Sequence, residues 1–270
     1  LLNSNSVVVD IGSNDGYLLK QLLGKVNQVI GFEPSLGPAK VASDAGVYTV
    51  SRFFGLQTAL DFSSRFQADY IFMNNVIAHT DDPTDLLRGA KALLAKNGVI
   101  SVEFPSLTDL LRNLTFDTIY HEHYSYFSLS SLCRLAGKVG LKLRSVQRIG
   151  VHGGGYRAEL VDCESALEVV KVSNTELSVE CELIKEFFLP NRFKEKLDEK
   201  LNSFFSALEN LNGARVAGLG AAAKATTFTN YCDLSLKNIT CIADSSRAKQ
   251  GCYIPGSMIP IVSWDELIRY

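Results

Sequence analysis

Short β-branched runs alternate with amphipathic segments of helical length along the first half of the chain, and that alternation restricts its fold more than any other feature. Val7 to Ile11, Gln28 to Glu33, Val47 to Ser51, Ala68 to Asn74 and Gly98 to Glu103 read as strands. Gly16 to Leu22, Pro38 to Ala45 and Pro83 to Leu94 read as helices between them. A strand that returns through a helix joins its neighbour in parallel, so these units predict an α/β fold with helices packed on a parallel sheet. Ser128 to Val139 reads as a further helix, followed by strands Leu141 to Gly150 and Tyr156 to Asp162. That last pair fits an antiparallel edge on the sheet. We therefore divide the chain into a ligand-binding α/β domain (1–162), a charged helical linker interrupted at Pro190 (163–212) and a smaller α/β lobe (213–270).

Composition narrows the partners. Of 270 residues, 46% are hydrophobic and 21% charged, and the net charge is −2. Without a basic run there is no footprint for nucleic acid or a membrane surface, and no apolar stretch is long enough to span a bilayer. Six cysteines without a C-x-x-C pair read as reduced thiols in a cytoplasmic protein, with no metal held among them. A monomer is expected. Both ends read as cut, because Leu1 is not a start methionine and the final residues begin a helix and stop.

Val8 to Gly16, Val-Val-Asp-Ile-Gly-Ser-Asn-Asp-Gly, sits at a strand-to-helix turn, where glycines let a ligand approach the backbone. A dinucleotide fingerprint needs further glycines two and then three residues on, but Asn14 and Tyr17 stand there. Acidic residues flank the turn instead, at Asp10 and Asp15, and suit a cofactor carrying an ammonium and a sulfonium better than a diphosphate. Glu33, ending the second strand, is placed to accept hydrogen bonds from ribose hydroxyls. Together these residues resemble the Rossmann-like class I methyltransferase superfamily, which implies S-adenosylmethionine held by Asp10, Gly12, Asn14, Asp15, Gly16 and Glu33. Phe53 and Phe54 follow the third strand, and one of them is expected over the adenine while the other joins the core. Asn75 and His79 follow the fourth strand and are placed at the same pocket.

The densest chemistry lies at Tyr120-His-Glu-His-Tyr-Ser-Tyr-Phe-Ser128, which holds two of the chain's four histidines. Three readings stay open on the residues alone. His121 and His123 could bind a metal, the run could be a structural polar loop, or a histidine oriented by a carboxylate could act as general base. The third is preferred. This run, followed by Val-His-Gly-Gly-Gly-Tyr-Arg from Val151 to Arg157, resembles the sugar C-methyltransferase family, which methylates a carbon of nucleotide-linked 4-keto-deoxy sugars. The resemblance implies His123 as the base, with His121 as its neighbour-rival, Glu122 orienting it or contacting the sugar, and Tyr120 contacting the enolate. It implies Tyr124, Arg157, Gly220 and Lys224 as contacts to a nucleotide-diphosphate keto sugar. It also implies an N-terminal zinc domain and a longer C-terminal lobe, neither of which this sequence contains.

Gly218-x-Gly220-x-x-Ala223 does fit the dinucleotide spacing and supports a different class of function, a nicotinamide-dependent oxidoreductase. A non-catalytic sugar-nucleotide binder is the third.

Overall fold

A computed structural model describes residues 2–150, 153–169, 174–211 and 213–269. In chain order the elements of the first part are β1 (Val7–Ile11), α1 (Tyr17–Lys20), β2 (Gln28–Phe32), α2 (Leu36–Asp44), β3 (Tyr48–Val50), α3 (Leu56–Ser63), β4 (Ala68–Asn74), α4 (Pro83–Leu93), β5 (Leu94–Pro105) and α5 (Leu107–Asn113). They continue as α6 (Leu129–Lys138), β6 (Leu141–Ile149), β7 (Gly155–Asp162), α7 (Asn174–Phe187), α8 (Arg192–Glu209), β8 (Ala217–Leu219), α9 (Ala223–Tyr231), β9 (Cys241–Ala243), β10 (Ile261–Val262) and α10 (Trp264–Leu267).

The chain divides into two compact units, Leu1–Asp109 with Tyr124–Ile184, and Leu110–His123 with Lys185–Tyr270. In the first, seven strands form one sheet in the order β3-β2-β1-β4-β5-β7-β6. The first five run parallel, and β7 pairs antiparallel with both β5 and β6. This is the Rossmann-like methyltransferase topology, with its antiparallel edge where the hairpin-like pair was expected. Val8, Val9, Ile30, Ile71 and Ile100 are fully buried, as strands covered on both faces require. The order reverses between β1 and β4, and an open sheet binds ligands in the crevice beyond the carboxyl ends at such a point.

Local chemistry sets the helices. Asp82 accepts the Thr84 and Asp85 amides and Pro83 opens α4, both start signals for a helix. Ser128 and Ser131 cap α6 reciprocally, and the buried Glu180 carboxylate accepts the Leu129 and Ser130 amides at 2.9 and 2.8 Å. The expected helix from Gly16 closes after Lys20, and the chain turns through residues 21–25. Helix α3 went unread because it is only eight residues long and Gly55 at its start makes no side-chain cap.

The second unit has a three-stranded parallel sheet, β10-β9-β8. Its core gathers Phe116, Leu197, Leu201, Ile242, Ile254 and Ile259. Phe116 lies between Phe228 and Tyr231, with ring centroids 6.0 and 4.7 Å away. Residues 110–123 are thus tied to the C-terminal elements, a partition the linear reading did not make. Phe116→Ala should cost about 3 kcal/mol in urea unfolding, the usual loss for a core aromatic; an unchanged midpoint would show that this ring does not hold the unit.

Candidate active site

A cleft of about 890 Å³ opens at the carboxyl ends of β1, β2 and β4 in the first unit. Its floor is the turn after β1. Gly12 has φ of +69° and Asn14 of +50°, and a Cβ on Gly12 would stand 2.7 Å from Val76 Cγ2. Only glycine meets both demands at that position. Glu33, at the end of β2, locks the turn: its Oε2 accepts the Asn14 amide at 3.0 Å and its Oε1 the Ser35 amide at 2.8 Å. A carboxylate oxygen can accept more than one hydrogen bond, so Glu33, which lines the cleft, has capacity left for a donor there.

The lining includes Gly12, Asn14, Glu33, Phe53, Asn75, His79 and Tyr124. Phe53 is 83% exposed, whereas Phe54 packs edge-on against Phe32 at 4.9 Å. Both rings line the cleft, Phe53 exposed and Phe54 half-buried with its inner side on the core. His79 sits on a single helical turn, Ile77–His79, whose Ala78 carbonyl accepts the Tyr124 and Ser125 amides at 2.9 and 3.3 Å. Those bonds fix Tyr124 to the rim.

Asp10, Asp15 and Gly16 do not line the cleft. Gly16 packs against Ala42 and Val47, and Asp15 faces Lys20 at 3.6 Å. Asp10 is buried beneath the turn, where burial and then the Glu33 charge push its carboxyl up to about 7. The carboxylates that do reach the lining are Glu33, Asp81, Asp82 and Asp85, and no lysine or arginine joins them. The sequence drew the right electrostatic inference from partly different residues: such a cleft attracts a cationic ligand and repels a diphosphate. The signal for the missed three was the Thr80-Asp-Asp-Pro-Thr-Asp85 run, of which only the part from Pro83 was read, as the beginning of a helix.

The histidine run belongs to the second unit up to His123. There His123 Nδ1 lies 2.7 Å from the Thr118 carbonyl oxygen, and its Nε2 lies 3.3 Å from the Tyr120 hydroxyl. A carbonyl only accepts, so Nδ1 carries a proton and donates it there, and in that tautomer Nε2 accepts from the Tyr120 hydroxyl. A backbone oxygen thus takes the orienting place that the sequence offered to Glu122. Glu122 and His121 are exposed.

The predicted substrate contacts are divided between the two units, Tyr124 and Arg157 in the first and Gly220 and Lys224 in the second. Arg157, on β7, pairs with Glu103 of the facing strand at 2.8 Å. Val151 and His152 of the same motif lie outside the described residues. In the second unit Gly220 turns with φ of +88°, and the next amide, of Ala221, donates to Asp244 Oδ2 at 2.7 Å. Lys224 follows on the first turn of α9. Among the described residues, no three His, Cys, Asp or Glu side chains gather as a metal site.

Sheet order, glycine turn and an acidic cleft at the carboxyl ends of the strands together describe a Rossmann-like methyltransferase domain. Residues 1–146 match the methyltransferase-domain family, and the chain belongs to that family of S-adenosylmethionine-dependent enzymes. Residues 151–269 match the C-methyltransferase C-terminal domain. The chain is similar to the C-methyltransferase NovU of Streptomyces niveus, 34% identical over 271 residues, covering 97% of this chain and 63% of that protein. It is also similar to the tRNA U34 carboxymethyltransferase of Campylobacter jejuni, 32% identical over 146 residues and half of each chain. A methyltransferase structure from Thermotoga maritima aligns with a TM-score of 0.46 at 21% identity, over 59% of this chain and 83% of that one. The chain thus spans less than two thirds of the length of either curated relative.

The Asp10 shift has a measurable sign. Between about pH 4, where the unfolded carboxyl ionises, and about 7, the folded form holds one proton more than the unfolded chain. Stability then falls as pH rises through this window, by about 1.4 kcal/mol per pH unit from this group. Asp10→Asn should remove that component of the slope; parallel stability–pH curves for the two proteins would show that Asp10 ionises normally.

Proposed function

We propose that this protein methylates a carbon of a nucleotide-linked keto-deoxy sugar, through an enolate formed by His123. The observation that carries the reading is the orientation of the His123 ring: Nδ1–H donates to the Thr118 carbonyl, which makes Nε2, the nitrogen that meets the Tyr120 hydroxyl, the basic one. Similarity to a protein named as a C-methyltransferase, along nearly the whole chain, supports the carbon acceptor.

The chemistry follows from acidity. A hydrogen next to a ketone can leave because its electrons move onto the carbonyl oxygen, and a base with a near-neutral pKa suits the transfer. His123 Nε2 takes that proton, and the C–H electron pair becomes the enolate. The ring then carries protons on both nitrogens, a form stabilised by the Thr118 carbonyl. Tyr120 supplies a hydroxyl donor for the enolate oxygen. Bound in the acidic cleft, S-adenosylmethionine supplies an electrophilic methyl group on a sulfonium. Glu33 holds the ribose, Phe53 covers the adenine, and Asn14, Asn75 and His79 bind along the rest of the cleft. Beneath them Asp10 and Gly16 support the turn, with Asp15 at its outer edge. Most of the rate enhancement comes from positioning the carbanion in line with that methyl group. Glu122 and Tyr124 are assigned to the sugar, with Arg157, Gly220 and Lys224 as further substrate contacts, and His121 is the rival base. The protein acts as a cytoplasmic monomer on this reading.

Glu33→Ala should weaken calorimetric binding of S-adenosylhomocysteine by tenfold or more, because the diol loses its acceptor and the turn loses its brace. Equal affinity would remove Glu33 from the site, and tight binding of NAD in its place would overturn the cofactor. His123→Asn should abolish deuterium exchange at the sugar carbon next to the ketone while sparing cofactor binding. Exchange that persists there and stops in His121→Asn would move the base by two residues.

A further inference from the structure

A second concavity of about 500 Å³ lies in the first unit, along α6, and Tyr124 lines both it and the cofactor cleft. The two differ in charge. The cleft carries four carboxylates and no cation, whereas the groove carries Arg134 and Lys138 and no carboxylate. Both cations are exposed, and neither is paired with an acid among the described residues. They stand four residues apart on one helix, so their side chains share a face about 6 Å apart at Cβ. Tyr124, Tyr126, Phe127 and Leu135 give the groove an aromatic and apolar wall. The helix end is not what makes this site, since Glu180 and Ser128 already take the Leu129, Ser130 and Ser131 amides.

What sets these two cations apart from an ordinary solvated helix face is the concavity they line, which joins them to an aromatic wall and contains no carboxylate. We propose that this groove holds the nucleoside diphosphate of the substrate, with Arg134 and Lys138 on the two phosphates and a tyrosine against the base. An arginine forks onto one phosphate and a lysine ammonium meets the next as a point charge. The two concavities then separate the reactants by sign. The cationic methyl donor enters the acidic cleft, the dianionic substrate enters the basic groove, and the sugar crosses Tyr124 between them. The assignment rests on the sugar-nucleotide reading above and gives that substrate its anchoring site. It also relieves the loop at Gly220 of the diphosphate, which suits its chemistry: the Asp244 carboxylate occupies the Ala221 amide there and would repel a phosphate.

Calorimetric titration with uridine diphosphate, inorganic pyrophosphate and S-adenosylhomocysteine tests this on the whole chain. Arg134→Gln/Lys138→Gln should weaken uridine diphosphate at least tenfold, lower its dependence on salt and leave S-adenosylhomocysteine affinity unchanged. Pyrophosphate should bind the wild type more weakly than uridine diphosphate, because it lacks the base. Uridine diphosphate binding that survives the double substitution overturns the groove, and so does loss confined to Lys224→Ala. The latter result would leave the sugar-nucleotide reading standing. A wild type that binds S-adenosylhomocysteine but no uridine diphosphate would overturn the groove and the nucleotide-linked substrate together. A double variant that loses S-adenosylhomocysteine as well would show a general defect and overturn the separation of the two sites.

Discussion

The Glu33 carboxylate holds the first unit's binding cleft in shape. Its two oxygens join the turn after β1 to the turn after β2 through the Asn14 and Ser35 amides. Those turns frame the point where the strand order reverses, so the groups that a ligand meets are fixed by one buried side chain. The cost of burying that charge is offset by two amide donors, and part of it is passed to Asp10, whose carboxyl is pushed up beside it. The carboxylate that lines the cleft is thus also what braces its two turns.

Charge completes the division of labour. Asp81, Asp82 and Asp85 extend the acidity of Glu33 around the rim, and two of the three have second duties: Asp82 caps α4, and Asp85 accepts the Leu56 amide at 3.1 Å. Bound to amides in this way, carboxylates stay in place without a basic partner. The cleft therefore selects for positive charge by the same bonds that fold its walls.

Much of this was legible in the chain. Strand runs with helix-length spacing marked the sheet, and Ala68 to Asn74 begins and ends where β4 does. The glycine turn with Glu33 ending the next strand marked three residues that line the cleft, Gly12, Asn14 and Glu33. What could not be read was long-range placement. Residues 110–123 leave the first unit because Phe116 packs on Phe228 and Tyr231, more than a hundred residues on, and no local pattern announces such a partner. The orientation of His123 was hidden for a similar reason: its partner is a backbone carbonyl, and every residue has one. Arg134 and Lys138 drew no notice in sequence, because two cations on a helix ordinarily mark a solvated face. Only the concavity beside them gives them meaning.

The central claim is that carbon, and not oxygen or nitrogen, receives the methyl group. Its most direct test is a turnover with S-adenosylmethionine carrying a carbon-13 methyl group and a nucleotide-linked 4-keto-deoxy sugar, read by carbon–proton NMR. The account predicts a new methyl resonance coupled to a sugar carbon that has lost the hydrogen next to the ketone. A labelled methyl group attached through oxygen, or no transfer from a protein that binds both reactants, would contradict it.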